Sequence, residues 1–199
     1  MAISTASAPL PKLIILSAPS AAGKTTLCQR LLEDFGGRIV SSISCTTRAP
    51  RPGEKSGREY FFLNEDEFNA RERAGEFVET ALVHGKMYGT SRRTVEDLLD
   101  QGKSVLLAID IQGADSLKLA FPGRCITVFI NPPSMEILEK RLRARGTESD
   151  QSIETRIQNA RDEMKHAHRF DHVIVNDELD RAYTELLGIV EKGLGIRRG

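Results

Sequence analysis

The stretch Ser17-Ala18-Pro19-Ser20-Ala21-Ala22-Gly23-Lys24-Thr25-Thr26 constrains this chain more than any other. It follows the continuous apolar run Leu13-Ile14-Ile15-Leu16, the pattern of a strand buried on both faces, and it leads into a segment that reads as a helix over 24–33. A strand that empties through small residues into a helix leaves backbone N–H groups bare at the helix start, and anions bind there. Lys24 stands at that start, where a cation opposes the helix dipole unless an anion faces it. The loop therefore reads as a phosphate cradle. Ala18, Pro19, Ser20, Ala21, Ala22 and Gly23 form the wrap, Lys24 reaches the outer phosphates, Thr25 offers a hydroxyl to magnesium, and Thr26 follows on the helix. An ordinary small-residue turn is the bland alternative. The P-loop pattern opens on glycine and Ala18 holds that place here; alanine suits a negative φ, whereas a left-handed one costs it about 1–2 kcal/mol.

Similar apolar runs recur at Val105-Leu106-Leu107-Ala108-Ile109 and Ile126-Thr127-Val128-Phe129-Ile130, with helical pattern near 114–120 between them and a shorter run at Val173-Ile174-Val175. Strands alternating with helices predict a parallel sheet covered on both faces, an α/β architecture. Two segments break the rhythm. Over 40–91, alternation around Ile43, Cys45 and Tyr60-Phe61-Phe62-Leu63 with turns at Pro52-Gly53 and Ser56-Gly57 predicts a small antiparallel sheet. Over 134–155 charge dominates, and the segment reads as a helical hairpin; the helix after it carries Ile153, Ile157, Ala160 and Met164 as a core stripe. The expected core is then 1–39, 92–133 and 156–199.

A chain of 199 residues, 40% hydrophobic, can bury one sizeable core. Its 28 basic and 28 acidic residues cancel, which argues against a nucleic-acid or membrane-surface partner and requires any anion site to be built locally. No secretory leader and no apolar run near the ~18 residues of a membrane span are read, so a cytoplasmic protein is expected. Cys28, Cys45 and Cys125 match neither a disulfide framework nor zinc spacing and read as reduced thiols. His166 and His168, two apart on a helix, cannot share a metal, and His84 and His172 carry no signal. Monomer and homodimer both stay open.

A second anion site is written in Ser44-Cys45-Thr46-Thr47-Arg48-Ala49-Pro50-Arg51-Pro52-Gly53-Glu54, followed by Tyr60. Two guanidinium forks and a phenol can hold one phosphate dianion; a solvated basic turn is the plainer reading. Taken with Phe77-Val78-Glu79, Tyr88-Gly89-Thr90-Ser91, Ile109-Asp110-Ile111-Gln112-Gly113, Pro132-Pro133-Ser134, the arginine run ahead of Gly146 and Val173-Ile174-Val175-Asn176-Asp177, the chain strongly resembles the guanylate kinase family over 13–192. The order of these motifs is far more specific than any one of them.

The resemblance implies a P-loop nucleoside monophosphate kinase with a GMP-binding insertion and an arginine-bearing lid, using ATP and Mg2+ to phosphorylate GMP, with dGMP as a further acceptor, in purine metabolism. By motif, Ser44, Glu79, Thr90 and Asp110 resemble the guanine-reading set, and Arg48, Arg51, Tyr60 and Tyr88 the holders of the GMP phosphate. Arg141, Arg145 and Arg156 resemble the arginines that join Lys24 on the transferring phosphates, and Asn176 the adenine-side residue. Arg141 and Arg145, four apart, share a helix face, while Arg143 points elsewhere. Ala21 stands where the family has glycine, and Ala108 where its strand has a first aspartate. Two expectations follow: that Ala21 strains the loop, and that Asp110 serves the metal's water shell as well as guanine. The rival readings are a non-catalytic phosphopeptide-binding module of the same fold and a related kinase for a phosphorylated ribose.

Overall fold

The computed structural model describes residues 10–83, 85–144 and 150–196. The first half runs β1 (Leu13–Ser17), α1 (Lys24–Phe35), β2 (Ile39–Ser41), β3 (Cys45–Thr46), β4 (Phe61–Phe62), α2 (Glu65–Arg73), β5 (Phe77–Val83) and β6 (Lys86–Ser91). The second runs α3 (Arg92–Asp100), β7 (Ser104–Ala108), α4 (Ile111–Ala120), β8 (Cys125–Asn131), α5 (Met135–Ala144), α6 (Asp150–Lys165), β9 (His172–Val175) and α7 (Leu179–Leu194).

Five strands form one sheet in the order β2-β7-β1-β8-β9, with every pair parallel. Side chains alternate across it as the pleat requires. Ile14 and Leu16 point to the face covered by α1 and α7, with Leu27, Leu31, Leu186 and Val190. Leu13 and Ile15 point to the face covered by α3 and α4, with Val95, Leu99 and Leu117. All four β1 residues Leu13–Leu16 are fully buried, each contributing roughly 1.5–3 kcal/mol over an exposed position. This is why a run with no polar alternation forms the central strand. The chain crosses from β1 through α1 to β2 on one side, and from β7 through α4 to β8 on the other side of β1. In such sheets the crevice at the strands' carboxyl ends, where the order reverses, is where ligands bind.

The second sheet has the order β4-β3-β6-β5. It departs from a purely antiparallel expectation: β3 pairs antiparallel with β6, as β5 does, but β3 and β4 run parallel. The cause is the loop 47–60, which carries Arg48 and Arg51 and returns the chain past the start of β3 before β4 begins. Val40 pairs with Val105 inside the parallel sheet, so the excursion into the second sheet starts after β2. Helix ends are set locally. Asn64 and Glu67 form a capping box on α2, Ser91 caps α3, and Asp110 caps α4. Helix α6 runs unbroken from the charged segment into the core, and its Ile153 and Ala160 pack with Leu138 and Leu142 of α5.

Candidate active site

At the carboxyl end of β1 a cleft of about 630 Å³ opens between the two sheets. Its floor is the phosphate loop. Gly23 is the N-cap of α1 at φ 95°, and a Cβ there would lie 2.1 Å from Asn176 Nδ2, so glycine is required on two counts. Ala18 does not have a positive φ, and alanine is comfortable there; the left-handed residue is Ala21, at φ 67°. Strain therefore sits where the sequence suggested, at Ala21. Lys24, half-buried, donates from Nζ to the Ile109 carbonyl at 3.5 Å. Burial lowers its pKa, while Cys28, Glu163 and Asp110 pull it back up. Thr25 and Thr26 are exposed toward the cleft.

Opposite the loop stands the second sheet. Ser44, Tyr60, Glu79 and Tyr88 wall the cleft, with Asp110 beside them. Glu79 is only 8% exposed, and its Oε1 accepts the Thr90 hydroxyl at 2.5 Å. Burial raises the Glu79 pKa, the Thr90 hydrogen bond opposes that, and Asp110 adds to it. Thr90 is fully buried and acts on Glu79 rather than on the cleft. Asp110 Oδ1 accepts the Gly113 N–H at 2.8 Å, and a Cβ at Gly113 would lie 2.9 Å from Glu79 Oε2, so a bare glycine makes room for the carboxylate.

The arginines are engaged with protein groups. Arg48 Nη2 pairs with the Glu54 carboxylate at 3.0 Å, and its guanidinium lies 5.4 Å from the Tyr60 ring centroid. Tyr60 meets Tyr88 edge-on at 5.8 Å. The Arg51 N–H donates to Glu54 Oε2 at 2.7 Å, so one carboxylate ties both ends of the basic turn. Neither arginine side chain walls the cleft itself. Arg156 does, and its Nη1 donates to Ser20 Oγ at 2.8 Å. Arg141 Nη2 donates to the Asn176 carbonyl at 3.0 Å, and the buried Asn176 donates from Nδ2 to the Ala22 carbonyl at 2.7 Å. Asn176 thus braces the phosphate loop from behind. Arg143 pairs with Glu139 and Asp150 on the exposed side, and Arg145 lies outside the described residues.

Two cleft residues escaped the sequence reading: Asn159 and Glu163. They stand three and seven residues after Arg156, on one face of α6. That spacing was the available signal, since the apolar stripe Ile153, Ile157, Ala160 and Met164 leaves Arg156, Asn159 and Glu163 together beside it. The apolar tip Leu82 and Val83 of the β5–β6 hairpin also borders the cleft, with Leu82 69% exposed.

The family model described as guanylate kinase matches residues 10–193. A guanylate kinase of Idiomarina loihiensis is 50% identical over 187 residues, covering 94% of this chain and 89% of that protein. One from Dechloromonas aromatica is 49% identical over 178 residues, covering 89% of this chain and 87% of its own length. The crystal structure of guanylate kinase from Anaplasma phagocytophilum superposes with a TM-score of 0.75 at 35% identity, over 94% of this chain and 87% of that one. A glycine-capped phosphate loop facing a buried Glu79 across one cleft, in a chain that matches along nearly its whole length, leads to one conclusion: this chain belongs to the guanylate kinase family.

Proposed function

We infer that this chain transfers the γ-phosphate of ATP to the phosphate of GMP, giving ADP and GDP. The observation that carries the reading is the facing of Lys24 and Glu79 from opposite walls of one cleft. A carboxylate accepts from guanine N1–H and the 2-amino group, whereas adenine offers a lone pair at N1 and no 2-amino donor. A buried acceptor facing the wrong base stays unpaired, and sites built this way discriminate by about 10⁴–10⁵. Glu79 is such an acceptor, oriented by Thr90. Ser44 and Asp110 border the same side of the cleft and complete the base pocket.

Two anions must meet for transfer, and unit like charges 4 Å apart repel by roughly 4 kcal/mol at an effective dielectric of 20. Lys24 and Arg156 already face the cleft. The Arg48 and Arg141 guanidiniums hold protein partners next to it and exchange them for phosphate oxygens, Arg51 adds a second guanidinium to the basic turn, and Tyr60 and Tyr88 line the acceptor side. Arg145 is assigned to the same cluster by motif, and Asn176 serves the ATP side through its hold on Ala22. The donors present suit a magnesium ion arriving with ATP. Thr25 offers a hydroxyl at the loop, Asp110 and Glu163 offer carboxylates on the wall, and magnesium takes one or two carboxylates plus phosphates and water. Among the described residues no group of three or more His, Cys, Asp or Glu could hold a metal unaided. When bound, magnesium neutralises the phosphate oxygens; Lys24 and the loop amides hold those oxygens in line, and catalysis is positioning and charge without a covalent intermediate. No described helix is long and apolar enough to cross a membrane.

The test is direct: incubate the protein with MgATP and GMP, dGMP, AMP or UMP, and follow ADP. Turnover with the guanine nucleotides is expected. Equal turnover with AMP overturns the role of Glu79, and none with any acceptor overturns the activity.

A further inference from the structure

Three consecutive loop residues are each held by α5 and α6 or through them. Ser20 Oγ accepts from Arg156 of α6, and the Ala22 carbonyl accepts from Asn176, whose own carbonyl accepts from Arg141 of α5. Between them Ala21 packs on the apolar cluster of Leu138, Leu142, Ile153 and Ala160, beside Met135 and Ile157. Among the described residues Ala21 is the only non-glycine with a positive φ. An L-residue persists in that region only where its surroundings over-determine it, and here the surroundings are the α5–α6 pair. Glycine would take the same φ freely but would offer no methyl to the cluster. The Ser20–Arg156 bond is part-buried and the Asn176–Ala22 bond buried, and the Ala21 methyl adds to these two polar links an apolar contact with the α5–α6 cluster.

We propose that Ala21 is a positioning residue for phosphoryl transfer: its methyl docks the α5–α6 pair onto the phosphate loop, so that Arg141 and Arg156 meet ATP together with the loop amides. This rests on assigning the loop to the ATP phosphates. The contact also narrows the conformations open to the loop before ATP arrives, which lowers the ordering required on binding. Its effect belongs to the ATP side, because the cluster it packs on is built from α5 and α6 and holds no residue of the second sheet.

The experiment is a double-mutant cycle in the full chain on Ala21→Gly and Ile157→Ala. Dissociation constants for MgATP and GMP are measured separately by calorimetric titration. Each single variant is expected to weaken MgATP about four-fold, what one buried methyl is worth, and to leave GMP within two-fold (a tolerance of about 0.4 kcal/mol). The double variant is expected to lose less than the product of the two single losses, because both residues pack on the same apolar cluster. Effects that multiply in the double variant overturn the proposal, as do unchanged MgATP affinity in Ala21→Gly or an equal loss for GMP. Should Ile157→Ala fail to fold, Ile157→Val supplies a graded version of the same cycle. Lys24→Ala separates the two layers: if MgATP binds it as well as the parent, the assignment of the loop fails, whatever Ala21 does.

Discussion

Glu79 and Thr90 lie directly opposite each other in the β5–β6 pair, and the Thr90 hydroxyl reaches across to Glu79 Oε1. A cross-strand register thus fixes the rotamer of the carboxylate to which base reading is assigned. The strand pair is irregular between Phe77 and Glu79, a bulge that re-aims the side chains following it.

Glu79→Gln should lower kcat/KM for GMP about 10- to 100-fold, since its amide leaves one guanine donor facing another donor in a buried site. Thr90→Val, which keeps shape but removes the hydrogen bond, should cost about ten-fold through misorientation. Steady-state kinetics with GMP and AMP check both, and a GMP preference that survives Glu79→Gln refutes the assignment.

The same carboxyl gives the enzyme a pH signature. Its folded pKa is raised by burial, opposed by Thr90 and raised again by Asp110. The folded protein therefore holds that proton more tightly than the unfolded chain. The associated stability is complete below the unfolded value and is lost as pH rises through the raised folded one. In function the sign is opposite: GMP binding should weaken as pH falls, beginning above the usual 4.5 of a glutamate. Comparison of GMP affinity against pH with Glu79→Gln isolates this limb from the titration of the GMP phosphate, and identical profiles would refute it.

Gly23→Ala should disable the ATP site. The added Cβ meets Asn176 Nδ2 at 2.1 Å and φ is 95°, so the loop must shift or the Asn176–Ala22 bond must break. A loss of at least ~1–2 kcal/mol is expected from the backbone alone, seen as a Tm lower by roughly 2–8 °C together with lost MgATP binding. Retained ATP affinity would show that the loop is not the site.

Asp110→Asn should leave folding nearly intact, because asparagine caps a helix as well as aspartate does. With Tm nearly constant, a raised magnesium requirement reports the charge that Asp110 brings to the metal's water shell. An unchanged magnesium titration curve removes that role and leaves Asp110 to the base pocket and α4.

What could be read from the sequence was what is local. The strand, loop and helix over 13–35 were legible because the apolar run and the small residues after it are contiguous, and the central strands because burial on both faces erases polar alternation. The fully parallel sheet followed from the need for crossovers. Three things were not legible. The parallel pairing of β4 depends on where the loop 47–60 lands, and two-residue strands carry no periodicity of their own. Strain at Ala21 was expected, but not what holds it: its left-handed φ is packed by helices more than a hundred residues away. Arg48 and Arg51 were read as a phosphate clamp; the Arg48 guanidinium pairs with Glu54 while only the Arg51 backbone N–H donates to it, a partner present in the motif itself. Cys28 and Cys45 are buried and Cys125 is half-buried.

Gly113 gives the base pocket a consequence for engineering. The excursion between β2 and α3 looks exchangeable, since both its ends leave from the parallel core, and Glu79 would travel with it. Glu79 Oε2 nevertheless occupies space that the core leaves vacant at Gly113. A graft of residues 42–91 onto another phosphotransferase scaffold would deliver the carboxylate without its berth, so its placement is inherited only when the start of α4 is moved with it.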